Sequence, residues 1–477
     1  MDQQKYDFGM IGLGTMGRNL VYNMCDNGFS VAGFDKSSDQ VITLQKESSG
    51  KKIMATTVLK DFMESLALPR IILFLVPAGP IVDAVINELK PFLANNDLLM
   101  DCGNSHFTDT DTRTQVLAKE NIHFMGAGVS GGESGARYGP SIMPGGNREA
   151  YNRVAPMLKA IAAKVNGEPC VNYMGNGSAG HYVKMVHNGI EYGIMQLITE
   201  SYHFMKKSLG LNNDELKEVY SKWNKGIIQS FLVEITADIF GQVDDLTTNN
   251  SLVDMILDSA GQKGTGAWTS EDAMSLQIPL PTIDIAVSVR DLSALKKDRV
   301  LAEQMAGAIK SKKEPAMLNK GELINAWEQA LYFALINTYS QGFSLLTRAS
   351  SEYKYDLKLA EIATIWRGGC IIRAAMLEDI RVAFTASPAL SSMLLDQAFI
   401  NKANQSRQYV VMCINRAVND GIPVPALMSS LAYFDGYFSG WLPANLLQAQ
   451  RDYFGAHTYE RNDRPGTFHT HWNQSNK

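Results

Sequence analysis

Four polar side chains share one face of a predicted helix in the stretch VKMVHNGIEYG, residues 183 to 193. They are Lys184, His187, Asn188 and Glu191. Their spacing of i, i+3, i+4 and i+7 places them on one side of an α-helix, and apolar residues fill the turns between them. A buried amine can act as a base near neutral pH, and a buried carboxyl as an acid. The face is therefore a candidate site for proton transfer; the alternative is a Lys–Glu ion pair on a solvated surface.

A glycine-rich turn near the N-terminus has the pattern Gly12-x-Gly14-x-x-Gly17 and lies between a predicted strand and a predicted helix. The first glycine permits a tight turn, the second lets the backbone approach a pyrophosphate, and the third allows the helix to pack closely on the strand. Asp35 ends the next predicted strand, 18 residues after Gly17, where an acid is expected to bind a ribose hydroxyl. The pattern predicts a dinucleotide-binding domain.

The composition is that of an ordinary globular protein. The chain has 477 residues, of which 45% are hydrophobic and 19% charged, and its net charge is −5. This balance argues against general affinity for nucleic acid or for an anionic membrane. The five cysteines are odd in number and scattered, which favours a reducing, cytoplasmic location over a disulfide framework or a zinc site. The first residues show no secretory signal.

The chain is predicted to contain an α/β part followed by a helical part. Strand candidates alternate with helical stretches over residues 1–178, as expected for a Rossmann-type parallel sheet. The strand candidates are FGMIGLG, SVAGFD, IILFLVP, DLLMDCG and IHFMGAGVSG. Residues 179–438 lack strand signals and are predicted to form a large all-α domain, followed by an irregular C-terminal tail over residues 439–477.

The helical part contains a possible internal repeat. Trp223 and Gly226 recur as Trp366 and Gly369, an offset of 143 residues, and an aliphatic segment follows each pair. Two copies indicate a duplicated helical unit rather than a solenoid. The alternative is a chance similarity between amphipathic helices.

The segment GVSGGESGARYGPSIMPGG, residues 128 to 146, is unusually rich in glycine. Its backbone N–H groups suit an anionic carboxylate, and the alternative is a flexible linker. Together with KMVHNGIEYG, QKGTGAWT, IWRGGCIIRA and QAQRDYFGAHTYER, it resembles the 6-phosphogluconate dehydrogenase family over nearly the whole chain. The resemblance implies oxidative decarboxylation of 6-phospho-D-gluconate to D-ribulose 5-phosphate and CO2, with reduction of NAD or NADP, in the pentose phosphate pathway.

The resemblance also implies roles for individual residues. Lys184 would be the general base and Glu191 the general acid. The residues implied to bind substrate are Asn104, Ser130, Gly131, Gly132, His187, Asn188, Tyr192, Lys263, Thr265, Arg290, Arg451 and His457. The residues implied to bind the cofactor are Gly12, Leu13, Gly14, Thr15, Met16, Gly17, Asp35, Lys36, Ser37, Val76, Pro77, Ala78 and Asn104. The family chemistry needs no metal.

The C-terminal tail is implied to act in a partner subunit. In the resembled family the tail crosses to the other chain and brings an arginine and a histidine to the substrate phosphate. Arg451 and His457 stand at the matching motif positions. The resemblance therefore predicts an obligate homodimer whose active sites are shared between chains.

Departures from the family concentrate on the cofactor side. NADP-dependent members carry Asn-Arg-Ser/Thr after the second strand, where this chain has Asp35, Lys36 and Ser37. Pro77 replaces a lysine. A carboxylate at position 35 would repel a 2′-phosphate and accept a hydrogen bond from a free 2′-hydroxyl, so the sequence favours NAD over NADP.

Two alternative functions are weighed against this prediction. A β-hydroxyacid dehydrogenase of the 3-hydroxyisobutyrate type shares the glycine-serine segment and the catalytic lysine. The second helical unit and the cationic residues Lys263, Arg290 and Arg451 argue against it. A non-catalytic dinucleotide sensor would be expected to have lost Lys184 or Glu191, and both are present.

Overall fold

The computed structural model describes residues 5–48, 50–247, 250–306 and 319–472. The chain divides into two compact units, Met1–Ser430 and Leu431–Lys477, and each is described by itself. The three-part division predicted from the sequence stays a prediction.

A seven-stranded sheet dominates the N-terminal part of the first unit. Its strands are β1 (Phe8–Ile11), β2 (Val31–Phe34), β3 (Ile53–Thr56), β4 (Ile71–Phe74), β5 (Leu98–Asp101), β6 (His123–Ser130) and β7 (Ser141–Gly146). Their order is β3-β2-β1-β4-β5-β6-β7. Neighbouring strands run parallel except β6 and β7, which are antiparallel. The predicted Rossmann-type domain is confirmed.

Helices cover both faces of this sheet. They are α1 (Thr15–Asp26), α2 (Ser38–Glu47), α3 (Leu59–Ser65), α4 (Pro80–Leu89), α5 (Phe107–Ala118), α6 (Gly132–Tyr138) and α7 (Arg148–Ile161). Met10 on β1 belongs to the core cluster with side chains of α1 and α7, whereas its neighbour Ile11 packs with those of α3, α4 and α5. Successive residues of a strand point to opposite faces, so the alternation accounts for a sheet buried on both sides.

The sequence located five of these strands and missed two. The five strand candidates contain β1, β2, β4, β5 and β6. The missed strands, β3 and β7, are the two edges of the sheet. β7 has the sequence SIMPGG, and proline and glycine are tolerated in a strand mainly at an edge. The glycine-rich segment is therefore an ordered strand-helix-strand element, and the linker alternative is wrong.

The remainder of the first unit is largely helical. After a short hairpin of β8 (Lys164–Val165) and β9 (Glu168–Pro169), the helices are α8 (Ala179–Lys207), α9 (Asn213–Trp223), α10 (Phe231–Phe240), α11 (Leu252–Met255), α12 (Thr265–Ser275), α13 (Pro281–Ala294), α14 (Lys296–Ala306), α15 (Lys320–Glu352), α16 (Leu359–Trp366), α17 (Met376–Ala386) and α18 (Gln397–Asn419). The next helix, α19 (Pro425–Tyr437), begins in the first unit and ends in the second. The predicted large helical part is confirmed. In the described part of the chain, no helix is long and apolar enough to cross a membrane.

The helix order supports the predicted duplication. Shifting α8, α9 and α10 by 143 residues places them on α15, α16 and α17 to within a few residues. Trp223 and Trp366, which end corresponding helices, are both fully buried. The loops that follow them meet at an isolated antiparallel bridge between Ser230 and Ala374.

The second unit contains more regular structure than the sequence predicted. It has a helix, α20 (Ala444–Gly455), and an antiparallel hairpin of β10 (Tyr459–Glu460) and β11 (Thr467–Phe468). The expectation of an irregular tail was wrong here. Contacts of Asp452 join the helix to the hairpin, and such contacts between distant residues leave no periodic pattern in the sequence.

Candidate active site

The glycine-rich turn joins β1 to α1 and leaves its outer side open. A Cβ on Gly17 would lie 1.9 Å from the carbonyl oxygen of Gly12, and one on Gly12 would lie 2.5 Å from that of Leu75. A Cβ on Gly14, in contrast, would meet nothing within 4 Å. Gly12 and Gly17 thus allow close backbone packing, and Gly14 leaves room in front of the N-terminus of α1. This arrangement fits a dinucleotide pyrophosphate.

Asp35 follows β2 and is held by the backbone on both sides. Its Oδ2 accepts a hydrogen bond from Leu13 N–H at 2.7 Å, and its Oδ1 accepts one from Ser37 N–H at 2.9 Å. The next residue, Lys36, forms an exposed ion pair with Glu88, with Nζ 2.6 Å from Oε1. The carboxylate is therefore fixed in position beside the glycine turn.

Two cavities meet at this turn. The larger has a volume of 1370 Å³ and the smaller 480 Å³, and both are lined by Gly14, Leu75, Val76 and Pro77. The predicted cofactor residues that line the larger cavity are Gly14, Thr15, Met16, Gly17, Val76, Pro77, Ala78 and Asn104. Those that line the smaller cavity are Gly12, Gly14, Asp35, Lys36, Val76 and Pro77. Leu13 is fully buried, and it and Ser37 contribute their N–H groups to Asp35.

Helix α8 lies directly against β6 because two glycines remove the side chains between them. A Cβ on Gly128 would lie 2.3 Å from Cβ of Lys184, and one on Gly126 would lie 2.6 Å from Nδ1 of His181. His181 Nε2 is 3.1 Å from the carbonyl oxygen of Asp101, at the end of β5. The sheet thus holds the helix that carries Lys184 at a fixed depth and rotation.

Two of the four polar residues of α8 contact Ser130, at the end of β6, and the other two contact His187. Lys184 Nζ donates to Ser130 Oγ at 3.2 Å, and His187 Nε2 is 3.4 Å from the same oxygen. His187 Nδ1 is 3.1 Å from Asn188 Oδ1 and 3.8 Å from Glu191 Oε2. Lys184, Asn188 and Glu191 line the larger cavity. His187 is fully buried, so in this structure it contacts Ser130 from behind the cavity wall.

Burial moves the pKa values of the helix residues towards neutral forms. It lowers the pKa of Lys184, and the charges of Glu191 and Cys370 oppose this effect. Burial raises the pKa of Glu191, opposed by Lys184 and Arg290. Burial, with a further contribution from Lys184, places the pKa of His187 well below its usual value. These shifts suit an amine that accepts a proton and a carboxyl that donates one.

One wall of the larger cavity is cationic. Lys263, Thr265, Tyr192 and Arg290 all line the larger cavity. The guanidinium carbon of Arg290 lies 3.4 Å from the ring centroid of Tyr192, a cation–π contact that fixes both side chains. A Cβ on Gly266 would lie 2.3 Å from the Tyr192 ring, so this glycine lets α12 approach α8. Arginine and lysine here suit a phosphate.

The other predicted substrate residues fall in two places. Asn104, Ser130, Gly131 and Gly132 line the larger cavity. Arg451 lies on α20, and His457 follows that helix; both belong to the second unit and are exposed. Among the described residues, no group of three or more His, Cys, Asp or Glu side chains could hold a metal ion. That the chemistry needs no metal stays a prediction.

Sequence reasoning missed several residues of the cavity. His106, Trp268 and Ile371 line it, and the rings of His106 and Trp268 meet edge to face at 5.0 Å. The Trp366 ring packs edge to face on His187 at 5.6 Å. Trp268, Trp366 and Ile371 lie inside the motifs QKGTGAWT and IWRGGCIIRA, which were noted without a role for these side chains.

The chain matches two family models that together cover most of its length. Residues 7–175 match the NAD binding domain of 6-phosphogluconate dehydrogenase, and residues 180–472 match the C-terminal domain of 6-phosphogluconate dehydrogenase. The first match contains the sheet with its glycine turn, and the second contains α8, except for its first residue, and the elements that follow it.

Relatives and a solved structure agree over the full length. The NADP(+)-dependent, decarboxylating 6-phosphogluconate dehydrogenase of Bacillus subtilis is 52% identical, with 98% of this chain and 99% of the relative covered. The decarboxylating enzyme of Synechococcus elongatus is 49% identical, with the same coverage of 98% and 99%. The Plasmodium falciparum 6-phosphogluconate dehydrogenase structure superposes with a TM-score of 0.94 at 42% identity, with 98% of this chain and 100% of that chain covered. The chain therefore belongs to the 6-phosphogluconate dehydrogenase family, as its motifs indicated.

Proposed function

We propose that this chain oxidises 6-phosphogluconate at the hydroxyl-bearing carbon β to the carboxylate and then releases CO2, giving ribulose 5-phosphate. One observation carries the proposal: Lys184, buried and bonded to Ser130, and Glu191, farther along the same helix, line one cavity with the cationic residues Lys263 and Arg290. This cavity offers a base, an acid and an anion site in one enclosure. The oxidoreductase activity of the named relatives agrees with this assignment.

In the oxidation step, Lys184 accepts the hydroxyl proton at Nζ. The nicotinamide, when bound, accepts the hydride. An amine whose pKa is lowered by burial has the neutral form needed to take up a proton, and the effect of burial on Lys184 has this direction. Ser130 Oγ, 3.2 Å from Nζ, orients the amine towards the cavity.

Decarboxylation uses the same proton. The β-keto acid loses CO2 when its ketone oxygen receives a proton, and the charged Lys184 supplies it. The resulting enediol needs a proton at carbon, which Glu191 donates, while the enol O–H returns its proton to Lys184 and the ketone of the product forms. Burial favours the protonated form of Glu191, which is the form required of an acid.

The remaining predicted contacts divide between the carboxylate and hydroxyls of the substrate and its phosphate. Ser130, Gly131, Gly132 and Asn188 bind the carboxylate and hydroxyls with side-chain and backbone N–H groups, while Asn104 lies between the nicotinamide and the substrate. Tyr192, Lys263, Thr265 and Arg290 bind the phosphate. In this proposal His187 acts through Ser130, which its buried position favours.

The activity is tested by supplying 6-phosphogluconate and following reduced nicotinamide and CO2 together. Equal amounts of both products support the proposal. Gluconate, which lacks the phosphate, is the matched control that tests whether the cationic wall binds the phosphate. 3-Hydroxyisobutyrate tests the alternative function, that of a 3-hydroxyisobutyrate-type dehydrogenase. Turnover of 3-hydroxyisobutyrate but not of 6-phosphogluconate, or tight cofactor binding without turnover of either, overturns the proposal in favour of the two alternatives.

The proposal extends to the choice of cofactor. Asp35, held by two backbone N–H groups at the smaller cavity, disfavours a 2′-phosphate by charge repulsion, and Pro77 brings no positive charge. NAD is therefore expected to be used well and to be favoured modestly over NADP. The name of the Bacillus subtilis relative gives NADP(+), so we expect this chain to differ from that relative in its cofactor preference. Binding of NADP more than about a hundredfold tighter, roughly 2.8 kcal/mol, contradicts it.

The proposal also includes a homodimer with shared sites. Apolar side chains of the second unit are exposed: Trp441 by 67%, Leu446 by 62%, Leu447 by 58%, Tyr453 by 57% and Phe454 by 73%. In the first unit, Leu246 and Met305 are 89% and 80% exposed. Such groups are usually covered by another protein surface. A partner chain that receives Arg451 and His457 at its phosphate wall would provide that cover.

Complementation tests the shared site. Lys184→Met chains and Arg451→Ala chains, each with little or no activity alone at a low concentration of 6-phosphogluconate, are mixed and allowed to exchange. A shared-site heterodimer has one site with both lesions and one with neither, so activity reappears. Confirmed heterodimers that stay inactive, or a fully active monomer, contradict the model.

A cytoplasmic location is also proposed for this protein, because all five cysteines are free thiols and thus suited to a reducing compartment.

A further inference from the structure

A single carboxylate holds the second unit together. Asp452 on α20 has no solvent-accessible surface. Its Oδ1 accepts from Thr458 N–H at 2.9 Å and lies 2.8 Å from His469 Nδ1. Its Oδ2 accepts from Thr470 N–H at 3.0 Å and from the Trp472 indole N–H at 2.9 Å. The helix, the turn after it and the strand end at residue 468 are thus tied to one side chain.

The turn that Asp452 holds has an unusual backbone on both sides of His457. Ala456 has φ +49° and Thr458 has φ +61°. This left-handed region is unfavourable for residues with a Cβ, and most of all for a β-branched one. Such conformations persist where surrounding contacts determine them, and they concentrate at functional positions. The His457 ring also lies over Gly455, where a Cβ would be 2.5 Å from Nε2.

A chain of contacts connects this turn to Arg451. Arg451 Nη1 donates to Gln448 Oε1 at 3.1 Å, and Gln448 Nε2 donates to the carbonyl oxygen of Thr458 at 2.6 Å. Thr458 N–H in turn donates to Asp452. Both groups proposed to reach the substrate phosphate therefore depend on one network, and Asp452 is its only fully buried charged member among the described residues.

We propose that Asp452 is a positioning residue for phosphate recognition: it fixes the strained turn so that Arg451 and His457 are presented together. The inference rests on the proposed role of these two residues in binding the substrate phosphate. A carboxylate is required because it offers only acceptor oxygens. An asparagine in its place would turn an NH2 group towards Thr458 N–H or towards the N–H groups of Thr470 and Trp472.

The charge of Asp452 is retained despite its position. Burial raises the pKa of this carboxyl, but the hydrogen bonds from Thr470, His469, Trp472 and Thr458 outweigh burial and hold the pKa well below its usual range. A carboxyl with a depressed pKa stabilises the folded form above its unfolded pKa, and this contribution is lost as the pH falls through the folded pKa. The network is therefore intact at neutral pH.

The test compares substitutions in the full-length protein. Asp452→Asn is expected to raise KM for 6-phosphogluconate at least tenfold while changing KM for the cofactor less than twofold. Gln448→Ala, which removes the bonds of Gln448 to Arg451 and to the Thr458 carbonyl oxygen but leaves those of Asp452 in place, should raise the same KM by a smaller factor. Asp463→Asn is the matched control: Asp463 lies in the same unit but is exposed and paired with Arg461, and its removal should leave both KM values unchanged.

Combination with Arg451→Ala separates positioning from a purely structural role. If Asp452 acts through Arg451 and His457, Asp452→Asn adds little to the KM of an Arg451→Ala/His457→Ala variant. Effects that multiply, or wild-type KM values in both Asp452→Asn and Gln448→Ala, overturn the inference. A wild-type KM in Arg451→Ala/His457→Ala itself overturns the proposed role of the second unit and the inference with it, so the two failures are distinguishable. If Asp452→Asn does not fold, Gln448→Ala replaces it in the test: the inference requires a raised KM for 6-phosphogluconate in the otherwise wild-type protein and little further change in the Arg451→Ala/His457→Ala variant.

Discussion

The cofactor side and the substrate side of the large cavity are built in different ways. The cofactor side is centred on one turn, Gly12 to Gly17, whose backbone leaves open space above Gly14. The substrate side collects side chains from β6, α8, α12 and α13, including Ser130, Lys184 and Arg290. The turn itself is a local property of six residues, whereas the substrate side depends on packing between distant segments. Substitutions on the substrate side should therefore reduce catalysis, whereas substitutions in the turn should weaken cofactor binding.

Overpacking the contact between β6 and α8 should have the larger effect on catalysis. In Gly128→Ala the new Cβ would lie 2.3 Å from Cβ of Lys184, so the amine must move. A displacement of about 1 Å at a reacting group can cost roughly a hundredfold in rate. We expect such a loss in kcat. Gly126→Ala, which meets His181 instead, is the control: it should lower thermal stability similarly and kcat much less. Equal kcat values for the two variants contradict this account.

Overpacking the glycine turn should weaken cofactor binding rather than catalysis. Gly17→Ala places a Cβ 1.9 Å from the Gly12 carbonyl oxygen, and such overpacking costs about 1–3 kcal/mol of folding stability. The turn must shift to relieve the overlap, which moves the N–H groups of α1 away from the pyrophosphate. Cofactor binding should therefore weaken roughly tenfold or more, about 1.4 kcal/mol, measurable by titration calorimetry. Gly14→Ala, whose Cβ meets nothing within 4 Å, should keep wild-type thermal stability. A Gly14→Ala variant that unfolds as readily as Gly17→Ala would show that the turn is not open as described.

A charge change beside the turn should alter cofactor choice without affecting the substrate side. Asp35→Asn removes the carboxylate that faces the smaller cavity. Two unit charges about 4 Å apart in water interact by about 1 kcal/mol, so NADP should bind roughly fivefold tighter while KM for 6-phosphogluconate stays constant. Dissociation constants for NAD and NADP measure the shift. An unchanged ratio of the two constants would remove Asp35 from cofactor discrimination.

The smallest expected effect is a shift in pH dependence on the substrate side. Glu191 opposes the lowering of the Lys184 pKa by burial, so Glu191→Gln should lower that pKa further. The acid limb of kcat/KM, where Lys184 becomes protonated, should then move to lower pH in the residual activity. Glu120→Gln removes the same charge from an exposed ion pair with Lys90 and should leave the limb in place. A shift to higher pH would contradict the assignment of that limb to Lys184.

The sequence predicted the two sides unequally, for a physical reason. The glycine spacing and the polar face of α8 are periodic patterns within one element, and both were found from residue spacing. The Tyr192–Arg290 contact and the place of His187 behind Ser130 depend on distant elements, as do the hydrogen bonds to Asp452. The resemblance supplied several of these residues by motif, but no spacing rule predicts which of them line the cavity.

The sequence analysis also missed the edge strand β7 and the helix α20. β7 contains Pro144, Gly145 and Gly146, residues that argue against a strand unless it lies at an edge. Helix α20 was missed because glycine, proline and exposed aromatic residues surround it. In both places, the ordering contacts come from elsewhere in the chain: Ser141 Oγ donates to the carbonyl oxygen of Ile365 at 2.8 Å, and Asp452 collects donors up to residue 472.

The most direct test of the central claim is a single-turnover experiment with Lys184→Met, since Lys184 is proposed to take up the hydroxyl proton and return it to the ketone. Enzyme in excess over 6-phosphogluconate is mixed with cofactor, and reduced nicotinamide and CO2 are followed in one reaction. Removal of a general base commonly costs about 10²- to 10⁴-fold, so both signals should slow by at least this factor, while cofactor affinity stays at the wild-type value. Formation of either product at the wild-type rate by the Lys184→Met variant would contradict the account.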